Sequence, residues 1–340
     1  MKKFLLAAIL IIGIGVAGKC HEVEASEFNF SVHFELPENQ QDKNKTYLDL
    51  LMQPNQKQEI PYTLRNDTDQ EVIVDMSIHS ATTNSNGVIE YGESLSEKDP
   101  SLKYDLKDLA TIEDQVKVPP KSSVERKLVL QAPAEQVTGV IAGGVTFQEH
   151  VDETAQEQQK TVGVINKFSQ VKAVLIQTNQ EKVMPDLNLT KAAAKQSNVR
   201  NVIAVNLQNS QAAYMFGLTA DVKIYKGQEK DPFLTLNKEE INMAPNTNFD
   251  LLVPLKGRTL ASGIYRVEVN GQWQEQQWHL KTTFKISQKE ATTLNDTDID
   301  RASEATPNYW MWGAICMAIL ILIILGMFIY KKLCNKGEKK

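Results

Sequence analysis

Ser169-Gln170-Val171-Lys172 sets a hydroxyl and an amine at the Ser-x-x-Lys spacing of acyl-transfer enzymes. That chemistry needs the start of a helix, together with Ser-Asp-Asn and Lys-Thr-Gly companions. Here the flanking residues read as a strand, and neither companion occurs. Asp296, Asp298 and Asp300 begin like a calcium loop, but Arg301 stands where the loop needs glycine and Pro307 where it needs its closing glutamate. They read instead as a solvated acidic linker. His21, His33, His79, His150 and His279 have no ligand spacing. There is no glycine-rich phosphate loop and no nucleophile elbow. The sequence therefore predicts no catalytic residues, no metal, no cofactor and no enzyme activity.

The residues that remain for recognition must be carried on strands. Phe28, Phe30, Val32, Phe34 and Leu36 alternate with Asn29, Ser31, His33 and Glu35. That is period two, with one face buried and one wet. Ile60, Tyr62 and Leu64 repeat the pattern, as do Val72, Val74, Met76 and Ile78, across an Asn66-Asp67-Thr68-Asp69 turn. Val137 to Phe147 is an apolar run that predicts a central strand, with a bulge at Gly143-Gly144.

A second set of strands follows the polar break at 150–160. It is marked by Val162 to Ile176, Val199 to Leu207, Val222 and Ile224, Phe249 to Leu255, Tyr265 to Val269, and Trp278 to Ile286. Regular strands with turn signals between them predict antiparallel sandwiches. Leu64-Arg65-Asn66 and Leu207-Gln208-Asn209 repeat one strand-ending pattern in both halves. The expected fold is all-β, two tandem immunoglobulin-like β-sandwich domains over 26–155 and 156–288. Tyr91 to Gln115 reads as a long charged loop, functional or mobile. Residues 289–309, poor in large apolar side chains, read as a flexible stalk.

The two ends predict topology. Lys2 and Lys3 precede an apolar run from Phe4 to Val16, the length of a signal core. Cleavage is expected before Ser26, which makes 1–25 a signal peptide. Lys19 before Cys20 argues against a lipid anchor. Residues 310–330 contain no charge, long enough to cross about 30 Å of hydrocarbon. Trp310, Trp312 and Tyr330 sit at the edges of this run, where amphipathic rings favour the headgroup level. Lys331 and Lys332 open a basic tail, 331–340, that is expected in the cytoplasm. No Leu-Pro-x-Thr-Gly sorting signal precedes the span. The expectation is a single-pass type I protein in the cell membrane, with 26–309 outside.

Without signal and tail, 29 basic residues face 39 acidic ones, a balance of −10. An acidic ectodomain is a poor partner for nucleic acid. The cysteines are Cys20, Cys316 and Cys334, so the mature outer part has none and must stand on its core alone. That habit fits a Gram-positive surface.

Ala81-Thr82-Thr83-Asn84-Ser85-Asn86-Gly87, then Val88-Ile89-Glu90-Tyr91, reads in the first instance as a polar hairpin tip ending in Asn-Gly. It stands in a wider frame: Leu36-Pro37-Glu38-Asn39-Gln40, Ser101-Leu102-Lys103-Tyr104 and Gly139-Val140-Ile141-Ala142-Gly143-Gly144. The second half carries Leu207-Gln208-Asn209, Asn242-Met243-Ala244-Pro245-Asn246, Ser262-Gly263-Ile264-Tyr265 and Trp278. With these landmarks in this order, the mature chain resembles the WxL-interacting protein family. One departure is Asn55 in Pro54-Asn55-Gln56, where the family has glycine. Trp278-His279-Leu280 is itself a W-x-L match, read here as core packing.

The resemblance implies a Gram-positive surface protein held by its C-terminal helix. It implies a peptidoglycan-binding first domain and a second domain that binds host proteins or partners. The partners implied are peptidoglycan, WxL-domain surface proteins and host extracellular-matrix proteins, with the membrane through the helix. Recognition of glycan and stem peptide calls for amides, hydroxyls and an aromatic face, which Thr82, Thr83, Asn84, Asn86, Tyr91 and Tyr104 supply. In the other reading of these residues, Thr and Asn shape the turn and the tyrosines pack. The alternative function is a surface assembly or sensor subunit with purely protein ligands.

Overall fold

The computed structural model describes residues 28–94, 97–151, 168–302 and 309–337. The expected signal peptide 1–25 lies outside them. In chain order the first strands are β1 (Phe30–Phe34), β2 (Leu48–Leu51), β3 (Lys57–Asn66), β4 (Val72–Ser80), β5 (Thr82–Thr83) and β6 (Ile89–Glu90). Helix α1 (Leu106–Leu109), β7 (Ala110–Thr111), β8 (Gln115–Val118), β9 (Ser122–Gln131), β10 (Ile141–Glu149) and β11 (Ser169–Gln177) follow. Then come β12 (Leu187–Ser197), β13 (Arg200–Asn209), β14 (Met215–Lys226), β15 (Leu234–Met243), β16 (Thr247–Pro254), β17 (Gly263–Trp273) and β18 (Gln276–Ile286). Helices α2 (Gln288–Thr297), α3 (Ile299–Ala302) and α4 (Tyr309–Gly337) end the described chain.

The chain forms two compact units. The first takes the residues up to Ser80, Tyr91–Glu93 and Tyr104–Gln180; the second takes Ala81–Glu90, Ser94–Lys103 and the chain from Glu181 on. Both are immunoglobulin-like β-sandwiches.

In the first unit a β1-β3-β9-β7 sheet faces a β2-β11-β10-β4-β8 sheet. Its pairings are antiparallel apart from β2 with β11. The alternation along β1 does what period two demands: Phe30, Val32 and Phe34 are buried while Ser31 and His33 are exposed. Phe34, Tyr62 and Phe147 meet with ring centroids 5.4–6.0 Å apart. On β10 the alternation vanishes, because both of its faces are covered from Ile141 to Val145. No bulge occurs at Gly143-Gly144; the registers with β4 and β11 run through both residues without a shift. The glycines are there for space. A Cβ on Gly143 would lie 2.3 Å from the His79 carbonyl oxygen and 2.5 Å from Leu106 Cδ2.

The expected loop 91–115 is not a free excursion. Asp105 caps α1, its carboxylate accepting from Lys107 N, and Leu106 is wholly buried in the core. Strand β11 pairs with β10 and completes the first unit, which ends at Gln180. Asn55 stands at φ 64, a left-handed position that Asn tolerates and glycine would occupy freely.

In the second unit a β12-β13-β16 sheet faces a β15-β14-β17-β18 sheet, and β5 and β6 form a two-stranded ribbon of their own. Val205, Leu207, Val222, Ile224, Val267 and Val269 are among its wholly buried side chains. Tyr265 turns its hydroxyl back onto the chain, donating to Ala261 O at 3.0 Å and accepting from Ala261 N at 3.2 Å. Such a corner fixes the entry of a strand.

The expected stalk begins as structure. Ser287 and Glu290 form a reciprocal capping box that starts α2. Ala291 is buried, Leu294 packs against the core, and Asn295 bonds both backbone groups of Leu260. Residues 288–298 thus belong to the second unit. Two apolar residues were too few for periodicity to show, but Ser-x-x-Glu was the available signal.

Helix α4 spans 29 residues. Its side chains are described for 313–327, so those of Trp310, Trp312, Tyr330, Lys331 and Lys332 lie outside the description. Among the described residues no helix is long and apolar enough to cross a membrane.

Candidate functional site

The segment Ala81–Glu90 is a hairpin built around Asn84. Thr82 pairs with Glu90, and Thr83 with Ile89. Asn84 Oδ1 accepts from Asn86 N at 2.9 Å and Val88 N at 3.2 Å, while its Nδ2 donates to Glu90 Oε1 at 2.6 Å. Gly87 closes the turn at φ 74, where a side chain would be strained. A Cβ there would also come within 3.0 Å of Ile241 Cγ2.

Thr83 is the anchor. It is fully buried, and its Oγ1 accepts from Ala244 N at 3.0 Å. Thr247 Oγ1 donates to Ala244 O, so the Thr83 hydroxyl must donate the 2.8 Å bond to Thr247. Asn242 N donates to Gly87 O at 2.8 Å. The hairpin is thereby joined to the Asn242-Met243-Ala244-Pro245-Asn246 segment.

A second junction, which the sequence reading did not single out, centres on Asp99. Its carboxylate is buried and accepts from Ser101 N and Oγ, from Gln208 Nε2 at 2.9 and 3.0 Å, and from Asn248 Nδ2 at 2.5 Å. Asn246 Nδ2 adds a bond to Ser101 Oγ. Motifs that look unrelated along the chain are thus one hydrogen-bonded assembly within the second unit.

The six candidate residues do not gather in one unit. Thr82, Thr83, Asn84 and Asn86 belong to the second, Tyr91 and Tyr104 to the first. Thr83 is spent inside, Asn84 holds the turn, and the Thr82 hydroxyl is enclosed without a partner among the described residues. Tyr91 lies against Gly144, and Tyr104 packs on the first core while donating to Glu135 Oε1 at 2.5 Å. Asn86 is exposed, and its side chain is the loop's outward-facing amide. Ser169 and Lys172 both lie on β11, on a strand as expected. Among the described residues no group of His, Cys, Asp or Glu is placed to hold a metal ion. What the arrangement offers is hydrogen bonding, from amides and hydroxyls around the Asp99 and Glu90 carboxylates.

Burial pushes the Asp99 carboxyl up, but bonds from Ser101, Asn248 and Gln208 outweigh it and hold it below the usual range. Asp250 behaves alike: burial raises it, and Lys195 and Asn206 bring it below. A carboxyl depressed in the folded state stabilises above its unfolded value and loses that contribution as pH falls through the folded one. The contribution should be complete above about pH 5 and fade below the ordinary value of about 3.9. Asp99→Asn should therefore cost stability at pH 7, with the difference from wild type shrinking between about pH 5 and 3. Melting temperature against pH for both proteins checks this; a constant difference would refute it.

Residues 30–149 match the peptidoglycan-binding domain of the WxL-interacting protein, and residues 159–296 match that protein's host-binding domain. Both are binding domains. The chain is also similar to the E. coli chaperone DraB, at 10% identity over 76% of this chain and 98% of that one, with a TM-score of 0.27. The Pseudomonas aeruginosa CupB2 chaperone gives 10% identity over 70% and 97%, with a TM-score of 0.27. No curated protein matches the chain. With tandem matches running from 30 to 296, the chain belongs to the WxL-interacting protein family.

Proposed function

We propose that this chain is a membrane-anchored surface protein that binds peptidoglycan through its first matched domain. Through the second it holds WxL-domain proteins and host extracellular-matrix proteins. The observation that carries this reading is the tandem match over 30–149 and 159–296. The signal peptide 1–25 would export the chain, and the uncharged run 310–330 within α4 would retain it in the membrane of a Gram-positive cell. The lysine tail would stay inside.

Within the hairpin, the reading narrows to Asn86. Its exposed amide can both donate to and accept from acetamido and peptide groups. Thr83 and Asn84 are engaged internally, which favours a structural role for them; this same fact supports the second reading, an assembly or sensor subunit with protein ligands alone.

Sedimentation of the full chain in detergent with purified peptidoglycan separates the two. The expected result is co-sedimentation, weakened about two- to tenfold by Asn86→Ala, the worth of one net hydrogen bond. Melting should be unchanged, because the Asn86 side chain supports nothing in the turn. Absence of wild-type co-sedimentation would leave the protein-ligand reading; unchanged binding by the variant would move the contact off the hairpin.

A further inference from the structure

Phe216 is 59% exposed, yet it sits next to Met215, which is wholly buried. The register of β14 against β15 slips on both sides of Leu218, and this irregularity turns Phe216 outward. Its ring stacks on Tyr214 with centroids 5.1 Å apart and planes 11° from parallel. The backbone beneath is fixed: Trp273 Nε1 donates to Phe216 O at 2.8 Å, and Gly217 N donates to Asn242 Oδ1 at 2.9 Å. Asn242 is also the residue whose N–H holds Gly87 O. The aromatic pair and the hairpin tip with Asn86 are therefore joined through one residue of the second unit.

A large apolar ring left in water, with one face stacked on the nearly parallel ring of its neighbour and its backbone fixed, requires explanation. The pair is far smaller than the roughly 1,000 Å² of a stable protein interface. A flat aromatic face of this size matches the C–H face of one pyranose ring. The side chains that build the corner are amides and aromatics, with the Glu240 carboxylate near Gly217. Trp273, Asn242 and Glu240 carry no positive charge, while hydroxyl and acetamido groups find acceptors and donors among them.

We propose that Tyr214 and Phe216 form a saccharide platform on the second unit, taking a neutral pyranose chain that bears acetamido groups. The platform lies outside the segment matched to the peptidoglycan-binding domain and goes beyond the function proposed above; it would stand even were the wall held elsewhere. Wall glycan and host glycan share this chemistry.

The test is a titration of the full chain in detergent with chitotetraose, followed by calorimetry. Wild type should bind; Phe216→Ala should weaken binding at least tenfold, and Phe216→Tyr should retain it. Phe216→Leu keeps apolar bulk but loses the flat ring, and should fail like alanine. Melting temperatures should stay together, since the ring is exposed. Soluble peptidoglycan glycan that displaces chitotetraose assigns the wall as source, and failure to displace assigns host glycan; both presuppose the platform. No wild-type binding up to about 10 mM, about ten times the concentration that matches an affinity of about 1 mM, would overturn the proposal. So would equal binding by wild type, Phe216→Ala and Phe216→Leu.

Discussion

Asn66→Ala should destabilise the first unit by about 3–5 kcal/mol, a large share of a domain's whole stability. Asn66 is fully buried at the end of β3. Its Nδ2 donates to the carbonyls of Gln70 at 2.7 Å, Val118 at 3.0 Å and Pro119 at 3.1 Å. Its Oδ1 accepts from Thr68 N at 2.8 Å and Thr68 Oγ1 at 2.7 Å. Val118 ends β8, which belongs to the other sheet, so this one amide pins the ends of both sheets. Alanine removes every bond and leaves the buried Val118 carbonyl unpaired, at about 1–3 kcal/mol, with part-buried groups of Gln70, Pro119 and Thr68 adding to it. Asn66→Asp tests the mechanism: it keeps the acceptor for Thr68 but points a carboxylate at three carbonyls. It should be no better than alanine. Urea denaturation measures both, and a loss under about 1 kcal/mol for alanine would refute the account.

Asn209 is the twin in the second unit. It is fully buried at the end of β13, donating to Ala213 O at 2.7 Å and Ala244 O at 3.1 Å and accepting from Gln211 N at 3.3 Å. The Leu-x-Asn repeat was legible as a pattern that ends a strand. Its meaning was not, because beside a carbonyl four residues on, the asparagine satisfies one 52 residues downstream in one unit and 35 in the other. Period two gave the strands and much of both cores, since burial on one face leaves its mark at every second residue. Gln208 and Asn248 left no such mark, being polar residues on strands with nothing in their spacing to announce Asp99.

The hairpin shows the same limit from the other side. Its polar composition suggested a ligand, but Thr83 looks identical in sequence whether it faces water or Thr247. Polar character alone does not distinguish a binding loop from a docking loop. Phe216 was invisible for the converse reason: next to Met215 and two residues before Leu218 it looks like core, and only the register slips along β14 turn it outward.

Gly143 carries the other large effect. It sits on β10 between β4 and β11, opposite Ser80 and Val174. A Cβ at this point would be 2.3 Å from the His79 carbonyl oxygen. That oxygen belongs to the β4 backbone, held by its own ladder, and cannot swing aside as a side chain would. Leu106 Cδ2 at 2.5 Å and Cβ at 3.0 Å close the other way out. Interiors are packed too densely to absorb a misplaced methyl. Gly144 differs. Its Cβ would meet Tyr91 O at 2.7 Å and Tyr91 Cβ at 2.8 Å, outside the strands where the chain can retreat, and the ladder-held Lys172 O of β11 only at 3.1 Å, a few tenths of an ångström short of ordinary contact. Gly143→Ala should therefore cost about 3 kcal/mol or more, at the upper end of overpacking, and Gly144→Ala about 1–2. In a unit of this size each kcal/mol moves the midpoint by about 2–4 °C, so the two variants should melt at least about 2 °C apart. Differential scanning calorimetry reads the order directly. Equal melting temperatures, or Gly144→Ala the less stable, would mean that β4 yields where its ladder says it cannot.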